Sequence, residues 1–112
     1  MSTPDNRVFL TARIALLEAL RYTPAGLPAL NLTLEHESEI LEAGQTRQVK
    51  VVMKSVAFGA MAERLGKQAI GSLWRFEGFL ASGRSGKGVV LHIQELDLIE
   101  VSKQNSAKPD SI

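Results

Sequence analysis

The sequence predicts an all-β domain, a five-stranded Greek-key barrel with one short helix between the third and fourth strands. Five segments alternate apolar and polar residues with the two-residue period of a half-buried strand. One segment between them repeats its apolar residues every three to four positions, which indicates a helix. The 112 residues, 45% of them hydrophobic, suffice for one domain with one core.

The first two strands are joined by a turn that contains proline and glycine. The first strand begins at Arg7, after residues 1–6, which are polar and expected to be disordered. Its core-facing residues are Val8, Leu10, Ala12, Ile14 and Leu16. In the turn, residues 23–28, proline fixes φ and Gly26 accepts a positive φ. The core-facing residues of the second strand are Leu30, Leu32 and Leu34.

A polar stretch, residues 36–46, is expected to form a loop before the third strand, residues 47–56. The core-facing residues of that strand are Val49, Val51 and Met53, and its opposite face holds Lys50, Val52 and Lys54. One helical face follows, made of Phe58, Met61, Ala62 and Leu65. Gly66 is expected to end this helix in the left-handed conformation.

The last two strands are residues 73–82 and residues 89–101. The core-facing residues of the fourth strand are Trp74, Phe76, Gly78 and Leu80. The alternation of the fifth strand shifts near residues 94–95, which predicts a β-bulge. Residues 102–112 are polar and expected to form a disordered tail, so the predicted domain spans residues 7–101.

Three strands, a helix and two strands follow one another in the order of the OB-fold. Such barrels bind oligonucleotides or oligosaccharides on their second and third strands, together with the loops after the first and fourth strands. No arrangement of serine, histidine and aspartate in the sequence indicates a catalytic site. The element order therefore predicts a binding module that is not an enzyme.

The glycine-rich stretch at residues 83–88, GRSGKG, is similar to a phosphate-binding loop but lacks its defining residues. A Walker A loop reads G-x-x-x-x-G-K-[ST], and here Ala81 replaces the first glycine and Gly88 replaces the hydroxyl residue. A predicted strand follows, so no helix N-terminus faces a phosphate. We expect a hairpin tip whose cations, Arg84 and Lys87, are either solvated or in contact with a nucleic-acid backbone.

Composition argues against several kinds of site. The chain has no cysteine for disulfides or thiolate ligands, which is typical of a reducing cytoplasm. Ile40 breaks an H-E-x-x-H pattern, so neither a metal site nor a cofactor is expected, and His92 is interpreted as a hydrogen-bonded structural histidine. The sequence predicts no secretory signal and no membrane segment, since no apolar run approaches about 18 residues.

Basic charge is concentrated before the last strand. Residues 7–87 hold eleven Lys or Arg against seven Asp or Glu, a balance of +4, whereas the whole chain carries +1. The candidate DNA-binding residues are Arg13, Arg21, Tyr22, Arg47, Lys50, Lys54, Arg84 and Lys87. The alternative is that each cation is an ordinary surface charge. Phe9 falls outside the core-facing alternation, which suits either base stacking or a subunit interface.

Short motifs follow one another along residues 6–100. They are NRVFL at 6–10, TPAGLP at 23–28, LEHES at 34–38, EAG at 42–44, RQ at 47–48, GS at 71–72, EGFLAS at 77–82 and VLHIQELDLI at 90–99. In this order they resemble PriB, the bacterial family of primosomal replication protein N, which is related to the single-stranded DNA-binding protein SSB.

The resemblance implies a cytoplasmic homodimer with paired first strands and no enzymatic activity. It also implies binding to single-stranded DNA and to the helicase PriA, followed by recruitment of DnaT to reload the replicative helicase at stalled forks. Enterobacterial members carry aromatic residues where this chain has Gln45 and Lys50, so we expect mainly electrostatic DNA binding. The alternatives are a general single-stranded DNA-binding protein and a protein-interaction adaptor with little DNA binding.

Overall fold

Five long strands and one short helix make up most of the computed structural model, which describes residues 3–99. In chain order the elements are β1 (Val8–Leu17), β2 (Arg21–Tyr22), β3 (Pro28–Glu42), β4 (Gln45–Phe58), α1 (Ala60–Leu65), β5 (Leu73–Ser82) and β6 (Val89–Leu98). The five long strands correspond to the predicted ones, and β2 is a two-residue addition beside β3. The predicted tail, residues 102–112, and the predicted strand end at Val101 lie outside the described residues.

The long strands close into a barrel because β1 pairs with β5 along one edge and with β3 along the other. The hydrogen-bonded order is β1-β5-β6-β4-β3, and β3 returns to β1. Strand β4 pairs in parallel with β6, and the other pairs of long strands are antiparallel. Closure gives partners to strands that would otherwise be exposed edges. The predicted OB-fold, with its helix between the third and fourth long strands, is confirmed.

Alternate residues of the long strands point into the barrel and form its core. The largest fully buried side chains of the described residues are Ile14, Leu30, Leu32, Leu34, Ser55, Leu65, Phe76 and Leu91. Helix α1 supplies Leu65 of this set and adds Ala62 to the same cluster. The predicted core position of Trp74 is confirmed: it is 8% exposed, and its indole N–H donates to Ser72 Oγ at 2.9 Å. Trp74 is therefore unavailable for stacking on a ligand.

The predicted loop at residues 36–46 is wrong, because the structure has a hairpin there. Residues 36–42 of β3 pair with residues 45–51 of β4, and Ala43 and Gly44 form the turn. Their φ angles of 52° and 78° are both positive, as a type I′ hairpin turn requires. Residues 39–48 are exposed on both faces of the hairpin. With no buried face, these strands lack the apolar alternation by which a sequence identifies a strand.

A β-bulge in β1 reverses the predicted direction of Leu16. Between Ile14 and Leu16 the register with β3 shifts by one residue, which leaves Ala15 as an extra residue on β1. Leu17 therefore packs against the core in place of Leu16, and Leu16 is 50% exposed. Because side chains alternate with a period of two, a single extra residue exchanges the two faces of the strand.

The helix ends without the left-handed glycine that the sequence predicts. Gly66 has φ −62° and ψ −16°, a right-handed conformation, and its N–H donates to the carbonyl of Ala62 at 3.0 Å. The next two N–H groups, of Lys67 and Gln68, donate to carbonyls of the last helical turn. These bonds satisfy the end of the helix, so a left-handed cap is unnecessary.

Asn6 fixes the start of the chain against β5. Its side-chain amide N–H donates to the carbonyl of Leu80 at 2.8 Å, and its side-chain oxygen accepts from the N–H of Leu80 at 2.9 Å. The expected disordered segment, residues 1–6, therefore ends in a residue that is held by two hydrogen bonds.

The predicted bulge near residues 94–95 is present in the ladder between β5 and β6. The pairing passes from Glu77 with Glu95 to Gly78 with Ile93, which leaves Gln94 without a partner. The bulge explains why the core-facing alternation of β6 shifts, since Ile93 and Leu96 are both buried although they are three positions apart.

Gly78 is required because the backbone of β6 approaches it closely at this bulge. A Cβ on Gly78 would lie 1.8 Å from the backbone oxygen of His92 and 2.8 Å from its carbonyl carbon. Side-chain atoms can rotate away from such an overlap, whereas a paired backbone carbonyl cannot. Gly78 therefore sets the spacing of β5 and β6 beside His92.

We expect Gly78→Ala to lower the free energy of unfolding by about 3 kcal/mol, near the upper end of overpacking costs, because the β6 backbone must shift. Denaturant titration followed by circular dichroism measures this. The control is Gly86→Ala, where φ is 78° but nothing lies within 4 Å of the added Cβ. It should cost only about 1 kcal/mol of backbone strain. Equal losses in the two variants would contradict the steric role of Gly78.

Candidate nucleic-acid interface

Four neighbouring strands, β3, β4, β6 and β5, present one continuous outer surface. The registers place Asn31 beside Val56, Val56 beside His92 and His92 beside Phe79. These four residues, which we call the cross-strand row, point to the outer face of the barrel, where Asn31, His92 and Phe79 are partly exposed and Val56 is covered by its neighbours. The candidate DNA-binding residues lie at different distances from this row.

Arg21 and Tyr22 lie at the β3 end of the cross-strand row. The Nε and Nη2 groups of Arg21 donate to Asn31 Oδ1 at 3.1 and 2.8 Å, which fixes the guanidinium at the surface. Tyr22 pairs with Pro28 and is 62% exposed. The turn that follows is closed by hydrogen bonds from backbone N–H groups to both the carbonyl and Oγ1 of Thr23. Because neighbouring strand residues point to opposite faces, Arg21 shares the outer face of Asn31, whereas Tyr22 points to the other face of β2.

Lys54 lies beside the centre of the row. It is the outward residue of β4 that precedes Val56. It pairs across the sheet with uncharged Thr33, and Glu35 holds one of the two neighbouring outward positions of β3. Its side chain is exposed, and it belongs to none of the ion pairs formed within residues 3–99. Its charge is therefore available to an anionic ligand.

Lys50 lies on the protruding hairpin, where carboxylates surround it. It pairs directly with Glu37, and Glu35 and Glu39 hold the neighbouring outward positions of β3. Opposite charges at directly paired positions attract each other, and the two further carboxylates make this face negative. Lys50 and Lys54 share a strand face, as predicted, but the electrostatic surroundings of Lys50 oppose contact with phosphate.

Arg47 and Arg13 are both engaged by neighbouring groups. Arg47 points to the opposite face of the hairpin from Lys50, and its Nε lies 2.7 Å from a carboxylate oxygen of Glu42. The guanidinium of Arg13 donates to the carbonyl of Gly71 at 2.8 Å, and Arg13 pairs with Glu35 across β1 and β3. The structure therefore does not bring these two arginines to the cross-strand row.

The loop between β5 and β6 is a hairpin tip, as predicted. The N–H of Gly83 donates to the carbonyl of Gly88 at 3.3 Å, and the N–H of Gly86 donates to the carbonyl of Gly83 at 2.9 Å. Gly86 has φ 78°, a conformation that side chains rarely adopt. Arg84 and Lys87 are exposed at this tip. A strand follows the loop, so the geometry is not that of a nucleotide-binding phosphate loop.

The parallel pairing of β4 with β6 places this loop near Lys54. Val56 lies beside His92, so Lys54 is level with Val90, the second residue after the loop. Arg21 and Lys54 thus share the face of the cross-strand row, Arg84 and Lys87 lie on the loop beyond its β6 side, and Tyr22 lies at its β3 end on the other face of β2. The other three, Arg13, Arg47 and Lys50, lie elsewhere or face carboxylates.

An aromatic group on the row was missed by the sequence interpretation. The rings of Phe79 and His92 stack with centroids 4.7 Å apart and planes 16° apart. The ring of Phe58 lies 5.9 Å from that of His92. Within residues 3–99 the contacts of the His92 ring are thus aromatic, and the hydrogen bond expected for this histidine is not formed. The sequence does indicate that both side chains point outward, because Phe79 and His92 fall outside the core-facing alternation of their strands.

Phe9 lies on the outer face of β1, held by two guanidinium groups. The Cζ atoms of Arg75 and Arg7 lie 4.5 and 5.5 Å from the centre of its ring, within the range of cation–π contacts. Arg7 also pairs with Glu77. Phe9 is 48% exposed, which leaves part of the ring free for contact with another molecule.

The described part of the chain shows neither a metal cluster nor a membrane helix. No group of three or more His, Cys, Asp or Glu residues within residues 3–99 is arranged to hold a metal ion. No helix in that range is long and apolar enough to cross a membrane.

Comparisons with known proteins agree with this geometry. Residues 6–95 match a family described as another single-strand binding protein family. The chain is 44% identical over 91 residues to the replication restart protein PriB of Bordetella pertussis, strain Tohama I, covering 80% of this chain and 85% of that protein. The PriB structure of Ralstonia solanacearum superposes with a TM-score of 0.78 and 37% identity, covering 85% of this chain and 98% of that one.

A single-stranded DNA-binding protein from Thermus aquaticus is also similar, with a TM-score of 0.67, 31% identity and coverage of 85% of this chain and 50% of that one. These relatives are replication proteins rather than enzymes, which confirms the prediction of a non-enzymatic role. With a family match over most of the domain and relatives above 30% identity, the chain belongs to the PriB family of replication restart proteins, within the SSB-related OB-fold proteins.

Proposed function

We propose that this protein binds single-stranded DNA and recruits the helicase PriA, and then DnaT, to reload the replicative helicase at stalled forks. The observation that supports DNA binding best is the set of cations around the cross-strand row, on the barrel face where OB-folds bind oligonucleotides. The relationship to PriB supports the role in replication restart. The chromosome is the substrate, so the proposed location is the cytoplasm.

The DNA path that we propose follows the row and avoids the hairpin. Arg21, Lys54, Arg84 and Lys87 supply four cations to phosphates, and Tyr22, on the other face of β2, supplies an exposed ring at the end of the path. The hairpin face that holds Lys50 also holds three glutamates, which repel a polyanion. Of the eight candidate residues, these five are therefore assigned to the site, and Arg13, Arg47 and Lys50 are assigned at most a minor part.

We expect Lys54→Ala to weaken DNA binding and Lys50→Ala to leave it nearly unchanged. Each phosphate contact contributes about −0.7 to the slope of log affinity against log salt, so four cations give a wild-type slope of roughly −3. Lys54→Ala should reduce that magnitude by about 0.7. Anisotropy titrations of a labelled oligothymidylate between about 50 and 200 mM salt measure both slopes.

The two lysines form a matched pair, since they are the same residue type on one face of the same strand. A wild-type affinity that is independent of salt would contradict the electrostatic site. Equal effects of the two substitutions would contradict the path that avoids the hairpin.

The proposed homodimer is supported by an incomplete strand edge. Strand β1 pairs with β5 from Val8 to Arg13, but its pairing with β3 begins only at Arg13. Within the described residues, the second edge of residues 8–12 therefore has no strand partner, apart from a contact of 2.6 Å between His36 Nδ1 and the carbonyl of Thr11. An open edge of this kind pairs readily with a second copy of the same strand.

We expect light scattering coupled to size exclusion to give a mass of about twice the 12.2 kDa of one chain, because pairing of two β1 edges satisfies their free backbone groups. The measurement is made at several concentrations, since a dimer that dissociates on dilution gives a mass that falls with concentration. A mass of one chain at all concentrations tested would contradict the dimer.

The helicase proposal makes a separate prediction. Adding this protein to PriA on a forked DNA substrate should increase the rate of unwinding, because the protein holds DNA and helicase together. The assay compares PriA alone, PriA with this protein and this protein alone, and the last should unwind nothing. No stimulation together with no PriA complex would contradict the proposed role in restart.

A general single-stranded DNA-binding protein is the second candidate, favoured by the similarity to the Thermus aquaticus protein. Gel shifts on long single strands distinguish the two roles. General coverage predicts saturation of the strand at one protein per fixed length, whereas a restart factor predicts sparse occupancy that PriA increases.

A further inference from the structure

We propose that the stacked pair Phe79–His92 is a platform on which a nucleobase of the bound strand stacks. This deepens the proposed function, because it assigns the chemistry that meets the bases as well as the residues that meet the phosphates. The pair lies on β5 and β6, whereas the sequence interpretation drew its strand residues from the first and third long strands.

The rings of Phe79 and His92 hold each other in a fixed orientation. Phe79 and His92 are directly paired across two antiparallel strands, and their rings stack with centroids 4.7 Å apart and planes 16° apart. Each ring thus fixes the orientation of the other, so little side-chain freedom remains to be lost when a base is added. Gly78 sets the spacing of these two strands, as described above, and so positions the pair.

The stacked pair is accessible on the outer face of the barrel. Phe79 and His92 are partly exposed, and they point away from the core that Phe76, Leu91 and Ile93 form on the other face of the same strands. The pair is therefore not needed to fill the barrel. With Phe58 and Met61 it lines an open groove of about 330 Å³. A groove of that size is at the lower end of small-ligand sites, which suits a single base rather than a larger molecule.

The groove at the stacked pair is continuous with the surface that holds Arg21 and Lys54. Val56, which also lines the groove, lies between His92 and Asn31, the residue that holds the Arg21 guanidinium. Lys54 is the next outward residue of β4. A strand whose phosphates contact these cations therefore passes its bases over the groove.

The carboxylates near the stacked pair do not block the approach of a DNA base to its rings. The nearest outward acid on β5 is Glu77, two residues from Phe79, and Arg7 pairs with it. On β6 the bulge separates His92 from Glu95, which is exposed and pairs with Glu77. The surface at the pair is consequently apolar and aromatic, as a base-stacking site requires.

Stacking on an aromatic ring is tolerant of sequence, because every base has a π face. The platform therefore predicts affinity for bases in general, without strong preference among them. It also predicts that the aromatic contribution depends on the bases and is independent of salt, unlike the contribution of Lys54.

The test compares two DNA ligands with three proteins. The ligands are an oligothymidylate and an abasic oligomer of the same length, which keeps the phosphates and removes the bases. The proteins are the wild type, Phe79→Leu and Phe79→Tyr. Leucine keeps the apolar volume but has no π face, and tyrosine restores the ring. Thermal unfolding of each protein confirms that the barrel is retained.

We expect Phe79→Leu to lose about tenfold in affinity for oligothymidylate, since one base–aromatic stack is worth roughly 5- to 150-fold. Its affinity for the abasic oligomer should remain within about twofold of the wild type, and Phe79→Tyr should match the wild type on both ligands. His92→Leu should show the same selective loss as Phe79→Leu.

Failures of the two proposals are distinguishable. Wild-type protein that binds neither ligand would overturn the proposed function and the platform together. Wild-type binding that Phe79→Leu leaves unchanged, or weakens equally on both ligands, would overturn the platform alone. A loss of dimer mass in Phe79→Leu with full DNA affinity would assign the pair to a protein interface and overturn the platform.

Discussion

The double pairing of β1 is the constraint on which the rest of this structure depends. Because β1 contacts β5 along its first half and β3 along its second half, the sheet closes and acquires an inside and an outside. The inside is filled by aliphatic side chains with Phe76 and Trp74. Every residue that can meet a ligand is thereby assigned to the outer face. Where β1 exchanges one partner for the other, residues 8–12 keep one edge that no strand of the described residues 3–99 occupies, and this is the edge proposed to pair with a second copy.

Two backbone irregularities shape the outer face. The bulge at Gln94 lies beside the directly paired Phe79 and His92, whose rings stack, and Gly78 leaves room for the adjacent β6 backbone. The bulge at Ala15 turns Leu16 outward and Leu17 inward. Each bulge changes which residues share a face while leaving the strand order intact. Surface chemistry in this barrel therefore depends on single extra residues rather than on composition.

The charge distribution divides the long β3–β4 hairpin into two parts. Near the barrel, Lys54 faces uncharged Thr33 with Glu35 at one diagonal position, whereas further out Lys50 faces Glu37 directly, with Glu35 and Glu39 at both diagonal positions. The two lysines are both exposed and lie on the same strand, yet their different neighbours give them different electrostatic surroundings. A protein that uses cations to hold a polyanion gains a defined path when neighbouring acids close the alternative one.

The sequence by itself determined the strand order, the helix, the core positions of Trp74 and Phe76 and the hairpin tip with Arg84 and Lys87, because period-two alternation and glycine placement are local properties. It also contained the motifs that relate the chain to PriB. It did not determine the hairpin at residues 36–46, which has no buried face to produce alternation. Nor did it determine which cations have carboxylates as neighbours, or that the rings of Phe79 and His92 stack on each other. Those depend on cross-strand neighbours distant in sequence, and only the register of the closed barrel decides them.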